Sequence, residues 1–538
     1  MGVIEEATSR LAKAGQEHVL AVLEHGTAVD RAALSQQLMT ELSNVDFCHL
    51  NNVLRHSLEH KIAGGAVSVE PPPKSFLFDL QAERQTNTDH TIQLERLGYN
   101  AIHAGQVAFI ILAGGSGTRL GADVPKGLFT CNGLRMRKSL FQLHCEKIRK
   151  REQLATSYCG GIPSGRIQLL IMTSSQNDSQ TRKFFQDKNY FGLEKEQVHF
   201  FQQFSLPCYD EKSGKILMES SGRMCISPGG NGGVYAALST PQDGEKISLI
   251  QRMEELGVKY LQLGNVDNIL SKVADPLFIG YAVKENAHVV VKSSPKVSPE
   301  ESVGVYARVD GEWGVVEYTE IGKRATEVDA ETGELKFNCA NISCYLCSLR
   351  FLQVAAEKMK SFTQYHAARK KILTANGTVM GVKLEAFIFD LFRFVKDCYD
   401  HPTTNTNTIN SISKGDDGFR IMQVNRNEEF APIKNADGAL SDTPAEAVRL
   451  LTQLHTHWLI AALKSVACGK GEKAKDAASA VELLQRGKIS VEISTAVSSE
   501  GEGLEPYLSR AIHQIVHESC DKIIIQSEKE ILFETSNV

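Results

Sequence analysis

Helical periodicity runs through the first sixty residues, at Leu11, His18, Val19 and Val22 and then at Leu34, Leu38 and Leu42. That predicts an N-terminal helical region, which Pro71-Pro72-Pro73 interrupts. From Val107 the pattern changes. Short apolar runs at 107–112, 167–173, 198–202, 259–264 and 287–292 read as strands, and helical stretches at 139–150, 179–186, 233–239, 247–256 and 276–285 lie between them. Alternation of strand and helix predicts an α/β fold around a doubly wound, mixed but mostly parallel sheet.

Residues 303–318 alternate on either side of Asp310-Gly311, a hairpin signal. A strand near 337–346 and helices near 349–359 and 384–397 follow, with Phe387, Phe389, Phe392 and Phe394 as core of the last. The polar, repetitive segment 401–418 reads as an exposed insertion loop. A helix at 443–464, a second helix and strand-like runs at 489–497 and 522–533 predict a small α+β unit. Three regions result: a mainly helical 1–103, an α/β domain at 104–435 and an α+β domain at 436–538.

Composition narrows the classes. A chain of 538 residues is too long for one core. A net charge of −5 with no basic run argues against nucleic acid or an anionic membrane surface as partner. No apolar stretch reaches membrane-span length, and Met-Gly-Val-Ile-Glu-Glu at the start lacks a signal-peptide core. The twelve cysteines have no framework spacing, so reduced thiols and a cytoplasmic location are expected. A microbody is the alternative, although Ser-Asn-Val is not its C-terminal signal. Cys344-Tyr-Leu-Cys347, in a strand-like run without a second pair nearby, reads as buried apolar thiols.

The chemistry concentrates in Leu112-Ala-Gly-Gly-Ser-Gly-Thr-Arg-Leu-Gly-Ala-Asp-Val-Pro-Lys-Gly-Leu-Phe129. It leaves an apolar strand, and Gly114, Gly115, Gly117 and Gly121 bare the backbone so that N–H groups can hold phosphate oxygens. Arg119 and Lys126 add two cations. The G-x-x-x-x-G-K-S/T loop is absent, and the dinucleotide spacing G-x-G-x-x-G fails by one residue before Gly121. A nucleoside triphosphate site is expected; a glycine-rich turn with solvated cations is the bland alternative. Asp267 ends the strand run Tyr260-Leu-Gln-Leu-Gly-Asn-Val-Asp at the same sheet edge, where a carboxylate suits Mg²⁺ or a helix N-cap.

The loop resembles the signature of the UDP-N-acetylhexosamine pyrophosphorylases, nucleotidyltransferases that make UDP-sugars. The resemblance continues in order through Phe200-Phe201-Gln202-Gln203, Pro228-Gly229-Gly230-Asn231-Gly232-Gly233, Val266-Asp267-Asn268, Val316-Glu317-Tyr318, Ala340-Asn341-Ile342, Gly381-Val382-Lys383 and Pro432-Ile433-Lys434-Asn435-Ala436. It implies a Rossmann-like nucleotidyltransferase fold and a Mg²⁺-dependent reaction, with Mn²⁺ as a substitute. In that reaction N-acetylglucosamine 1-phosphate attacks the α-phosphate of UTP, giving UDP-N-acetylglucosamine and pyrophosphate.

The roles it implies are these. Arg119, Lys126 and Lys434 are catalytic cations. Leu112, Ala113, Gly114, Gly115, Lys126, Gln203, Gly230, Asp267 and Lys383 bind the nucleotide, with Gln203 at the uracil edge and Asp267 on the metal. Asn231, Glu317, Asn341 and Lys434 bind the sugar phosphate, and Lys383 joins Lys434 on the sugar-linked phosphate.

Without the resemblance each has a plainer reading. Gln203 is then an exposed strand-end amide, Glu317 a hairpin cap, Asn341 a turn residue, and Lys383 and Lys434 solvated lysines. Two departures stand out: Ser116, where relatives often carry Gln, and Gly229, where they often carry Asp. A broader UDP-sugar pyrophosphorylase acting on glucose or galactose 1-phosphate and a catalytically silent nucleotide-binding protein are the rival readings. The expected partners are small molecules, and the expected assembly is a monomer or weak dimer.

Overall fold

Alternate residues of Val107–Leu112 fall into two different cores: Val107, Phe109 and Ile111 into one, Ala108, Ile110 and Leu112 into the other. A strand apolar on both faces must be covered on both, and the computed structural model shows that covering. It describes residues 2–43, 45–59, 68–121, 124–242, 244–362, 364–399, 417–518, 520–527 and 530–535. The expected insertion loop lies outside the described residues except for Asp417 and Gly418.

The central sheet is built on β1 (Leu77–Asp79), β2 (Val107–Leu112), β3 (Gln168–Thr173), β4 (Val198–Gln202), β5 (Tyr260–Asn265), β6 (Val289–Pro295), β7 (Cys339–Ser348) and β8 (Phe419–Gln423). Their order is β1-β8-β6-β7-β5-β2-β3-β4. Neighbours are parallel except at β7, which runs antiparallel to both β5 and β6. The hairpin Val305–Val309/Glu312–Val316 joins β7 through Val305 and turns at Asp310-Gly311, both with positive φ.

One face is covered by the helices Thr88–His103, Leu140–Tyr158 and Pro276–Glu285, and the other by Val234–Ser239, Leu249–Glu255 and Leu349–Met359. The starts are capped as their sequences ask. Ser139 accepts from Gln142 N, and Asp275 accepts from Leu277 N ahead of Pro276. Cys344 and Cys347 sit in opposite cores, as strand neighbours three apart must, so the pair cannot share a ligand.

One element differs from expectation. Residues 384–397 are not an α-helix: the strand Gly377–Glu385 runs into them, and Ile388–Cys398 is a 3₁₀ helix. Phe389, Phe392, Val395 and Cys398 repeat every third residue and all are buried, which matches three residues per turn rather than 3.6.

The four N-terminal helices, Gly2–Lys13, Glu17–His25, Ala28–Met39 and Phe47–Glu59, share a core with Leu206, Tyr209, Met224, Val382 and Leu384. They therefore brace the small sheets around Ser205–Pro207 and Gly377–Glu385. The C-terminal unit has its own core between the helices Pro444–Ala467, Glu472–Gln485 and Glu505–His517 and the strands Ser490–Ile493, Lys522–Ser527 and Glu530–Glu534. No helix among the described residues is long and apolar enough to cross a membrane.

Candidate active site

Parallel register decides where the site lies. Leu112 pairs with Asn265 on one side and Met172 on the other, and Thr173 pairs with Gln202. The segments that follow β2, β4 and β5 thus leave one edge of the sheet together, at the carboxyl ends where open α/β sheets bind ligands.

The glycine-rich loop leaves β2 there. Ala113 N donates to Met172 O, and Asn177, itself buried, donates from Nδ2 to Ala113 O (2.9 Å) and Gly115 O (3.3 Å). The loop returns through Gly117 N to Val124 O and Lys126 N to Gly115 O. Gln203 lies against Gly114: a Cβ added there would fall 1.8 Å from its Nε2. Gln203 is 8% exposed, so the exposed strand-end reading fails.

Lys126 Nζ meets Asp267 Oδ2 at 2.5 Å, with both side chains nearly buried. No helix begins at Asp267; the next one starts at Pro276 and is capped by Asp275, which removes the N-cap reading. Asp267 Oδ1 is buried without a hydrogen-bond partner. A carboxylate with one oxygen on a lysine and the other unpaired fits a divalent cation completed by substrate phosphates. Mg²⁺ commonly takes one or two protein carboxylates and finds its remaining oxygens elsewhere. The described residues hold no cluster of three acidic, His or Cys side chains that would enclose a metal by itself.

Lys434 is tied to the same strand end. Ile433 N donates to Asp267 O, and Ala436 N donates to Arg119 O, so one segment spans the Asp267 strand end and the glycine loop. Asn268 clips that segment from both ends of its amide, Nδ2 to Glu429 O (2.7 Å) and Oδ1 from Ala431 N (2.9 Å). Lys434 itself pairs with Asp442 at 3.3 Å. Arg119 is exposed.

A second group gathers beside the first. Gly229 N donates to Phe204 O, one residue past Gln203. Gly230 has φ 92° and presses on Ala386, where a Cβ would meet backbone at 2.3 Å. Asn231 Oδ1 accepts from Ile388 N at 3.1 Å. Asn341 Oδ1 accepts from Tyr306 OH (2.9 Å), Ser343 N (2.9 Å) and Tyr345 OH (3.2 Å). Each amide oxygen is thereby occupied, leaving the NH₂ donors for a ligand.

Glu317 lies beside Gly304, whose carbonyl accepts from Asn341 N. Burial, then the nearby Glu320, raises its pKa. Lys383 stands on Gly377–Glu385 opposite Ala368.

Gly114, Gly115, Arg119, Lys126, Gln203, Asp267 and Lys434 thus gather at one strand edge, Gly230 and Asn231 join it through Gly229 and Phe204, Glu317 and Asn341 meet at Gly304, and Lys383 is placed by its strand pairing alone. Residues 56–460 match the family model described as UTP–glucose-1-phosphate uridylyltransferase. The chain belongs to this family. Among the relatives of this uridylyltransferase is UDP-N-acetylglucosamine diphosphorylase 2 of Arabidopsis thaliana, 37% identical over 84% of each chain. The uridine diphosphate N-acetylglucosamine pyrophosphorylase of Trypanosoma brucei, solved with an inhibitor, is 54% identical over 98% of this chain and 99% of its own, with a TM-score of 0.88. A putative UDP-N-acetylglucosamine pyrophosphorylase of Entamoeba histolytica is 27% identical over 85% of this chain and all of its own, with a TM-score of 0.65.

Sequence reasoning gave no role to Asn177 or Asn268. Asn268 stood inside a motif already noted, but Asn177 gave no signal beyond a polar turn; only the hydrogen bonds reveal what it holds.

Proposed function

We propose that this uridylyltransferase makes UDP-N-acetylglucosamine and pyrophosphate from UTP and N-acetylglucosamine 1-phosphate, with Mg²⁺ as cofactor. The Lys126–Asp267 pair, with its unpaired second carboxylate oxygen beside the glycine loop, is the observation that carries the chemistry. The identity to UDP-N-acetylglucosamine pyrophosphorylases supports the amino sugar.

The nucleophile is a phosphate oxygen and already an anion, so no general base is required. That oxygen bonds to the α-phosphorus of UTP as the bond to the bridging oxygen breaks, and pyrophosphate leaves with the electron pair. The site's work is to hold two polyanions together and to offset charge on the leaving group. Gly114 and Gly115 admit the nucleoside to bare backbone, and Gln203 supplies a donor and an acceptor to the uracil edge. Arg119 and Lys126 hold the triphosphate. Lys383 and Lys434 hold the sugar-linked phosphate. Asn231 and Asn341 donate to sugar oxygens and Glu317 accepts from hydroxyls. Asp267 would hold Mg²⁺, which when bound screens the phosphates and acts as a Lewis acid toward their oxygens. Free cysteines throughout the described residues suit a reducing compartment such as the cytosol.

Pyrophosphate release with UTP and a panel of N-acetylglucosamine, N-acetylgalactosamine, glucose and galactose 1-phosphates, with Mg²⁺, Mn²⁺ or EDTA, tests this. The expected result is a metal-dependent preference for N-acetylated sugars. Equal turnover of glucose 1-phosphate would transfer the protein to the broader UDP-sugar class, and activity in EDTA would remove the metal.

A further inference from the structure

His366 opens the strand His366–Thr374, which pairs along its length with Gly377–Glu385, the strand of Lys383. Its Nε2 lies 3.0 Å from Asp390 Oδ1. The other oxygen of Asp390 accepts from Phe387 N at 2.8 Å, and the next amide, Ile388 N, donates to Asn231 Oδ1. Ala386, one residue earlier, bonds Gly229 and Gly232 on either side of Gly230 and Asn231. The imidazole also packs on Phe387, ring centres 4.6 Å apart. One side-chain pair therefore joins the lysine-bearing hairpin to the turn that seats Asn231.

We propose that His366 and Asp390 are positioning residues for the sugar 1-phosphate half of the site, locking the Asn231 loop to the Lys383 hairpin without touching substrate. The proposal rests on the reading of Asn231 and Lys383 as sugar-phosphate groups given above.

Charge supports the geometry. Asp390 is 7% exposed, and a buried carboxylate needs a cationic or donor partner at each oxygen. Glu317 and Glu320 face the imidazole from the segment after the hairpin Val305–Val316. His366 and Asp390 line a cavity of about 570 Å³ whose other charged groups are Asp310, Glu312, Glu320, Arg324 and Arg393. Burial alone would hold His366 neutral; the Asp390 hydrogen bond and charge, backed by Glu320 and Glu317, outweigh it and raise the imidazole pKa. The protonated, doubly donating ring is the form that holds Asp390. Deprotonation at higher pH leaves one ring N–H and no charge, and the link weakens.

The test is steady-state kinetics of the full chain, His366→Gln and Asp390→Asn, both substrates varied from about pH 6 to about pH 9, the range over which imidazoles titrate. In both variants the KM for N-acetylglucosamine 1-phosphate is expected to rise about tenfold, the scale of a modest misplacement, with the KM for UTP nearly unchanged. In the parent protein the sugar-phosphate KM rises with pH above the usual imidazole range, and His366→Gln abolishes that dependence.

Equal rises in both KM values, a pH dependence that survives in His366→Gln, or an unchanged sugar-phosphate KM overturns the proposal. Should the variants not fold, the parent's two pH profiles decide: a break in the sugar-phosphate KM absent from the UTP KM supports the pair, and its absence overturns it. A parent protein that releases no pyrophosphate from UTP and N-acetylglucosamine 1-phosphate refutes the functional reading and this proposal with it. An active parent whose variants keep their sugar-phosphate KM refutes only the proposal.

Discussion

At the scale of single residues, the site rests on two contacts. On the proposed function, Lys126→Ala removes a cation from the triphosphate, and it leaves Asp267 without its lysine. Losing about 3 kcal/mol of transition-state stabilisation slows turnover about a hundredfold. The expected result is a fall in kcat of that size in the folded protein, and near-normal turnover would refute the role. Gly114→Ala acts through a neighbour. Its Cβ would displace the end of a flexible side chain, Gln203, not backbone. The fold should therefore survive while the KM for UTP rises about tenfold, the cost of roughly one lost hydrogen bond. Titration of UTP at saturating sugar phosphate checks this. Positions 116 and 229 have local accounts. Ser116 is exposed, bridges to Pro125 and reaches Thr118 Oγ1 at 3.3 Å, so its small side chain is accommodated within the loop. At Gly229 a Cβ would lie 3.1 Å from Leu206 Cγ, so an Asp would require that leucine to give way.

At the scale of elements, Pro276–Glu285 was legible from its pattern, while Leu140–Tyr158 begins where expected and runs on past the expected end at 150. The pattern was misread where the apolar repeat shortened to three, as in Ile388–Cys398. The antiparallel direction of β7 had no signal, because an apolar strand buried on both faces reads the same in either direction. The close crossing of Thr88–His103 and Pro276–Glu285 was equally silent. Gly98 and Gly280 make it: a Cβ would fall 1.9 Å from Pro276 O at the first and 1.8 Å from Leu94 O at the second. Both obstacles are backbone, so the helices themselves must separate. Gly98→Ala should cost about 1–3 kcal/mol, the range for an overpacked core. Urea unfolding monitored by circular dichroism measures it, and an unchanged midpoint would contradict the tight crossing.

At the scale of the whole molecule, acid should weaken the fold before its carboxylates protonate. Burial holds His144 down to about 4 and His455 down to about 3, from an ordinary 6.5, so both are neutral when folded. His455 Nδ1 accepts from Ile493 N, which a protonated ring could not do. As pH falls below about 6.5 the unfolded chain binds protons that the folded chain refuses, so stability declines, by roughly 3 kcal/mol for His144 and roughly 5 kcal/mol for His455 at full extent. Thermal melts from pH 7.5 to about pH 5 should show this loss. His455→Asn, whose amide oxygen can replace Nδ1, should flatten it. Behind the site, fully buried Lys292 lies between Asp275, at 2.6 Å, and Glu429, whose backbone carbonyl takes the Asn268 amide. Lys292→Met would leave buried Asp275 without its lysine and Glu429 with Lys272 alone, at 3.3 Å, and cost about 3–5 kcal/mol, read as a lower urea midpoint. What the sequence determined by itself was local and periodic: most strands and helices, the bare-backbone loop, the cations near it and the carboxylate closing a strand. It could do so because bond rotation, apolar spacing and charge are properties of neighbours along the chain. Tertiary structure alone decided which of those groups meet. Lys126 and Asp267 lie 141 residues apart, and Asn231 and Ile388 lie 157 apart. Their contacts arise only when sheet register and the packing of both faces fix every strand end at once.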